Sequence, residues 1–384
     1  MTNRQRVPLS VLDLAPVPSG STGAAALRAS LDLARRTEEF GYRRYWVAEH
    51  HLTEGVASAA PAVLIALIAS ATTRIRVGSG AVLLGYYSPA AVAEQFGTIA
   101  AVHPGRIDLG LGRSGLVRPE ELAARFAEVG AGGPREGNRL VGGVVIPPKP
   151  RSRLGDPAVR RRFTERQELL IARQDAGSDY LAEVQQVLGL LHGTFRTPSG
   201  EALHAPAAEG ADLSVWVLGS GPGASASAAG RLGLPYVANY HVSPSTVLES
   251  VEAYRAAFVP SRELAEPYVV VSADVVVAEE EAKARELASP YARWVLSIRA
   301  GDGAIPFPTP EESARYPWTE EDRELVADRV DTQLVGDPDT VVRRLAALRE
   351  VTGADELLIT TITHDHEDRV RSYELLADAW RPAP

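Results

Sequence analysis

The chain has 384 residues, 45% hydrophobic and 23% charged, with 33 Gly, 27 Pro, one Met and no Cys. These near-average fractions exclude disordered, collagen-like and coiled-coil classes. The lack of cysteine excludes disulfide frameworks, thiolate zinc sites, iron–sulfur clusters and a cysteine nucleophile. A formal net charge of -9 argues against nucleic-acid or anionic-membrane partners, since both require clustered positive charge.

The first ten residues, MTNRQRVPLS, lack an apolar stretch, so no signal peptide is expected. The longest apolar run, PAVLIALIASA from Pro61, falls short of the ~20 residues that a bilayer span needs. A soluble, cytoplasmic protein is therefore expected. Its lysines are only Lys149 and Lys283 beside many arginines, a bias typical of GC-rich genomes.

Short apolar, β-branched segments alternate with helical patterns along the chain. Strands are predicted at 8–12, 45–49, 75–84, 106–111, 214–218, 236–239, 269–277 and 356–361. Helices are predicted at 24–40, ended by Gly41, and at 89–102, capped by Ser88 and opened by Pro89. Further helices are predicted at 163–191 and 279–299. Strict βα alternation predicts an α/β protein, a single closed (β/α)8 TIM barrel over residues 1–384, with long insertions after strands 4 and 7. The insertions, about 115–163 and 301–321, are candidate covers for a site at the strands' C-terminal ends.

Four motifs lie near such ends. AEHHLTEG, from Ala48, places His50 and His51 after the second strand, where imidazoles serve as proton donors or acceptors. The alternative is one buried and one surface histidine. A metal reading would add His364 and His366 from THDHEDR. VGSGAVLL contains Gly78, Ser79, Gly80 and Ala81 inside a strand, either for close approach of a flat ligand or for barrel packing. RIDLGLGRSG and VLGSGPGASAS both carry a Gly-x-Gly-x-x-small pattern after a strand. The acid that would confirm a dinucleotide site is replaced by Asn239, so a mononucleotide phosphate explains the pattern better. The donors would be Ser220, Ser225, the turn at Gly221, the helix starting near Gly223, and Arg113 as a guanidinium clamp. Glycine turns that merely let helices pack remain the bland alternative.

The order RYWVAEHHLTEG, IRVGSGAVLL, SPAAVAEQFGTI, HPGRIDLGLGRSG, WVLGS…SAAGRLGLPYVAN and GDPDTVVRRLAAL…GADELLITT resembles the bacterial-luciferase-like flavin-dependent monooxygenases. The resemblance implies a TIM barrel that takes reduced FMN from a separate flavin reductase and uses O2. One oxygen atom is inserted, by epoxidation or hydroxylation, into a small organic substrate of secondary or antibiotic metabolism. His50 matches the family's catalytic histidine and His51 its neighbour. Gly80–Ala81 matches a pair often joined by a cis peptide behind the flavin ring, and Arg113, Ser220 and Ser225 match phosphate contacts. Gly112 stands where luciferases carry a reactive cysteine, so no light emission is expected. The resemblance also implies a homodimer, with the run from Ala59 to Ala71 lying in the interface or the core. The alternatives are a deazaflavin-dependent oxidoreductase of the same fold and a metal-dependent barrel hydrolase using the four histidines named above.

Overall fold

The computed structural model describes residues 6–113, 137–150, 156–170 and 179–381. Eight parallel strands close a barrel in the order β1 (Leu9–Asp13), β2 (Arg44–Val47), β3 (Arg76–Ser79), β5 (Ile107–Gly112), β8 (Leu213–Gly219), β9 (Tyr236–Asn239), β10 (Val269–Val277) and β12 (Glu356–Thr360). β12 pairs back onto β1, with Leu9 opposite Leu357, and this closes the ring. Each strand is buried on both faces, which is why the strands read as continuous apolar runs.

Side chains alternate between the two faces. Val11, Tyr45, Val217 and Leu357 pack outward against the helices. Leu12, Trp46, Trp216, Leu218 and Leu358 point inward with Val237 and Val270. At the strands' N-terminal ends the interior is polar instead. Arg44 Nη1 reaches Asp108 Oδ2 at 2.8 Å and its Nε reaches Glu356 Oε1 at 3.0 Å, while Arg76 Nη2 takes Asp108 Oδ1 at 2.6 Å. Trp46 Nε1 also donates to Asp108, and Tyr268 to Glu356, so the buried charges are satisfied. This network plugs the barrel floor and leaves the opposite mouth for a site.

The helices follow their caps. α1 (Gly23–Phe40) starts where Thr22 accepts from the Ala25 N–H, and it ends at Gly41, φ 85°. α2 (Pro61–Ala71) and α3 (Pro89–Val102) both open on proline, and Ser88 caps the latter. Three expectations need correction. The 75–84 strand is divided, because the chain leaves β3 at Gly80–Ala81 and resumes as the short β4 (Val82–Leu83), which pairs with β5. The 279–299 helix is two helices, α8 (Glu281–Ala288) and α9 (Tyr291–Arg299), since Pro290 offers no N–H to continue the ladder. The 163–191 segment holds α4 (Pro157–Leu170) and α5 (Tyr180–Leu191), and residues 171–178 between them lie outside the described residues.

Much of the insertion after the fourth barrel strand, 114–136 and 151–155, also lies outside the described residues. Its described part contains an antiparallel hairpin, β6 (Arg139–Val141) and β7 (Val144–Ile146), turning through Gly142 and Gly143 at φ 55° and 85°. The hairpin is packed down: Ile146 is buried, and Tyr240 donates its hydroxyl to the Val145 carbonyl. The 301–321 excursion is an anchored strap containing α10 (Pro310–Ala314). Phe307 is fully buried and exchanges backbone hydrogen bonds with Val17 and Ser19. Gly55 donates to Ala304, and a Cβ at Gly55 would lie 1.9 Å from the Ile305 carbonyl oxygen, so only glycine fits there.

Candidate active site

A cavity of about 490 Å³ opens at the C-terminal ends of the barrel strands. The sequence-predicted residues His50, Gly80, Ala81, Arg113, Ser220 and Ser225 all line it, whereas His51 and Gly221 do not.

β2 ends at Val47, so the chain is free to turn before the two histidines. His50 is anchored through its backbone N–H to the Ser58 carbonyl, and its ring faces the cavity. Its side chain is exposed through the cavity mouth. Partial desolvation by the cavity walls, together with neighbouring His51, lowers its pKa from the usual imidazole value to about 4. His51 turns away. Its Nε2 lies 2.5 Å from Glu49 Oε1, and its ring meets Tyr86 edge-on at 5.4 Å. Buried Glu49 also accepts from the Tyr87 hydroxyl at 2.9 Å and the Leu83 N–H at 2.8 Å. One carboxylate thereby ties the end of β2 to the segment after Gly80–Ala81. That peptide bond is cis.

The second wall carries a set of anion donors. α6 (Ala224–Arg231) begins at Gly223 with no side-chain cap, so its first N–H groups lack a protein acceptor of that kind. Ser220 and Ser225 flank this helix start, and Arg113 faces them across the cavity. Thr246 donates to the Ser220 carbonyl at 2.7 Å, and Asn239 Nδ2 donates to Ser220 Oγ at 3.2 Å, which fixes the turn. The glycines divide by cause. A Cβ at Gly219 would strike Tyr236 Oη at 2.4 Å, and one at Gly110 would strike the Ser79 carbonyl at 2.0 Å, so packing within the barrel explains both. A Cβ at Gly223 would meet nothing within 4 Å, and one at Gly221 only Thr246 Oγ1 at 3.9 Å. Open space, two hydroxyls, a helix N-terminus and a guanidinium are a donor set that fits a phosphate monoester.

Some wall residues escaped sequence reasoning. His241 follows β9 and bonds Ser272 Oγ through Nδ1 at 2.6 Å. Burial, with Arg329 and His50 nearby, lowers its pKa to about 3. Its place just past a barrel strand was the available signal. Trp294 and Ile298 come from α9, and Arg329 from α11 (Glu320–Thr332), a helix whose charged sequence does not mark which residue turns inward.

The four-histidine arrangement does not assemble. His364 bonds Ser19 and His366 bonds Asp32 at 3.0 Å, in a separate groove beside α1 and the start of α13 (His366–Trp380). Among the described residues, the metal-capable cluster found there is Asp32, His366 and Glu367, and it includes neither His50 nor His51.

The family model described as luciferase-like monooxygenase matches residues 7–131 and 177–356. The chain belongs to the luciferase-like monooxygenase family. It is similar to the YvbT protein of Bacillus subtilis (strain 168), 38% identical over 387 residues and covering 99% of both chains. The solved structure of apo-MsnO8 superposes with a TM-score of 0.76 at 33% identity, covering 98% of each chain. A shorter match of 106 residues is 47% identical to the N-acetyl-S-alkylcysteine monooxygenase of Bacillus subtilis (strain 168), covering 28% of this chain and 32% of that one. As a luciferase-like monooxygenase the protein is an oxidoreductase, and its cavity lies at the mouth of the barrel where such folds place their chemistry. Among the described residues no helix is long and apolar enough to cross a membrane.

Proposed function

We propose that this luciferase-like monooxygenase uses reduced FMN, delivered by a separate flavin reductase, and O2 to place one oxygen atom on a small organic substrate by epoxidation or hydroxylation. The observation that carries this reading is the uncapped start of α6, set beside Ser220, Ser225 and Arg113 on one wall of a cavity whose other wall holds His50. Bound reduced flavin supplies the activation of oxygen.

The residues divide the remaining work. The α6 N–H groups, the two serine hydroxyls and the Arg113 guanidinium bind the phosphate, with Gly221 shaping the turn that presents them. Gly80 and Ala81 form the flat floor for the ring system. A Cβ at Gly80 would lie 2.8 Å from Leu12 Cδ1, so this surface is also set by packing from below. His50, neutral at working pH, holds a hydrogen bond at the reacting oxygen or passes a proton there. His51 and Glu49 keep the segment carrying His50 in place. Leu12, Leu14, Trp294 and Ile298 exclude water from the substrate's apolar part.

We also propose a homodimer. α2 sends Leu64, Ile65 and Ile68 into the core and leaves Val63 and Leu67 exposed on its outer face.

Titrating the protein with FMN, riboflavin and deazaflavin F420, all reduced, under anaerobic conditions tests the cofactor assignment. The proposal expects FMN to bind at least tenfold more tightly than riboflavin. Tighter binding of F420 than of FMN would assign the site to deazaflavin hydride transfer instead.

A further inference from the structure

Arg329 is buried on α11 and forms part of the wall of the cavity that His50 faces. Its Nε and Nη2 both donate to the Tyr291 hydroxyl, at 3.1 and 2.8 Å. Among the described residues Nη1 has no hydrogen-bond acceptor, and no carboxylate forms an ion pair with this guanidinium. The adjacent Asp328 is taken by Arg299 at 2.8 Å, and buried Asp274 acts on Arg329 through its charge and through the shared Tyr291 hydroxyl, without a direct hydrogen bond to the guanidinium.

The other buried arginines are treated differently. Arg44 is gripped by Asp108 and Glu356, and Arg369 by Asp13. A guanidinium withdrawn from water normally takes such a partner, because its planar fork matches a carboxylate and its desolvation must be offset. Arg329 has a neutral phenol as its direct partner, with Asp274 and Asp328 acting on it only beyond ion-pair distance. Trp294 lines the same cavity and stacks on Tyr291 at 6.1 Å, which holds the phenol that Arg329 bonds. Leu12, Leu14 and Ile298 supply apolar wall to the same cavity, while His241 lies close to the guanidinium.

We infer that this end of the cavity receives an oxyanion, namely the carboxylate of the substrate, with Arg329 as its receptor. The substrates are then small organic acids with an apolar portion. This rests on the flavin reading above, in which Arg113 and the start of α6 already serve the flavin phosphate, the other possible source of an oxyanion.

The test is isothermal titration of the FMN-saturated protein with N-acetyl-S-methylcysteine, octanoate and benzoate, each beside its methyl ester. Wild type, R329Q and R329K are compared, and far-UV circular dichroism confirms folding. The expected result is that at least one acid binds wild type tenfold or more tightly than its ester. R329Q abolishes that preference, R329K keeps part of it, and FMN affinity changes less than threefold in both. Absence of any acid-over-ester preference in wild type overturns the inference. So does a tenfold loss of FMN affinity in R329Q with the acid-to-ester ratio intact, which would assign Arg329 to the flavin phosphate. If wild type binds no FMN, the flavin reading falls instead, and the same titration without flavin still decides the role of Arg329.

Discussion

Glu49 and His51 meet at 2.5 Å between Oε1 and Nε2, on a carboxylate that also accepts the Tyr87 hydroxyl and the Leu83 N–H. The consequence is mechanical. The loop carrying His50 and the segment leaving Gly80–Ala81 are fastened to a single buried anion. Glu49→Ala leaves three donors without their acceptor and is expected to destabilise the fold by about 1.5–3 kcal/mol, because each half-buried donor loses a charge-assisted bond. Urea denaturation gives that figure. Turnover should fall further than stability alone explains, which single-turnover rates on the folded fraction would reveal.

His50 should matter for rate rather than for flavin binding. His50→Ala is expected to slow substrate oxygenation about 100-fold, the lower end for a positioned proton donor or acceptor. FMN affinity should stay within threefold of wild type. Because the folded protein holds His50 near pKa 4, the wild-type rate should show no break around pH 6.5. A pH–rate profile from 5.5 to 8 checks this, and a clear inflection near 6.5 that His50→Ala abolishes would show that the ring is not held neutral there.

His241 links pH to stability. Its folded pKa, about 3, lies below the unfolded value of 6.5. The unfolded chain therefore binds the proton first, and stability is fully present above pH 6.5 and is lost as pH falls toward the folded value. The slope is about 1.4 kcal/mol per pH unit for this one group. Urea midpoints of wild type and His241→Asn at pH 7.5 and 5.0 isolate it: the wild type should lose more stability over that interval than the variant.

Ser225 and Gly219, at the proposed phosphate turn, give opposite outcomes. Ser225→Ala removes a hydroxyl that lines the cavity, so melting temperature should hold while FMN affinity drops tenfold or more. Gly219→Ala places a Cβ 2.4 Å from Tyr236 Oη and should lower the melting temperature markedly. Calorimetry beside FMN titration separates the two, and equal behaviour of the variants would contradict a phosphate at this turn.

At the opposite end of the barrel, Asp108→Asn removes the anion shared by Arg44 and Arg76. Breaking one partner of a buried pair typically costs about 3–5 kcal/mol. That loss should appear in denaturant unfolding while the folded fraction keeps its FMN affinity.

The eight barrel strands are legible in the sequence because burial on both faces forces continuous apolar runs between helix caps such as Thr22 and Ser88. The same residues mislead where a local break outweighs composition. Pro290 divides an otherwise helical run, and Gly80–Ala81 interrupts an otherwise extended one. The cavity wall is half legible. His50, Arg113, Ser220 and Ser225 follow barrel strands directly, and position alone marks them. Arg329 lies on a helix beyond α9 among many charged residues, and only tertiary packing turns that one guanidinium inward. The pairing of His51 with Glu49 is likewise invisible, since it depends on where β2 stops.

The most direct measurement follows flavin absorbance after anaerobically mixed protein and reduced FMN meet oxygenated buffer in a stopped-flow cell. Reduced FMN held against α6, Ser220 and Arg113, beside His50 and shielded by Trp294 and Ile298, should reoxidise with a distinct slow phase absent from free FMN. The Ser225→Ala variant should lose much of that phase. A trace superimposable on that of free FMN would contradict the account.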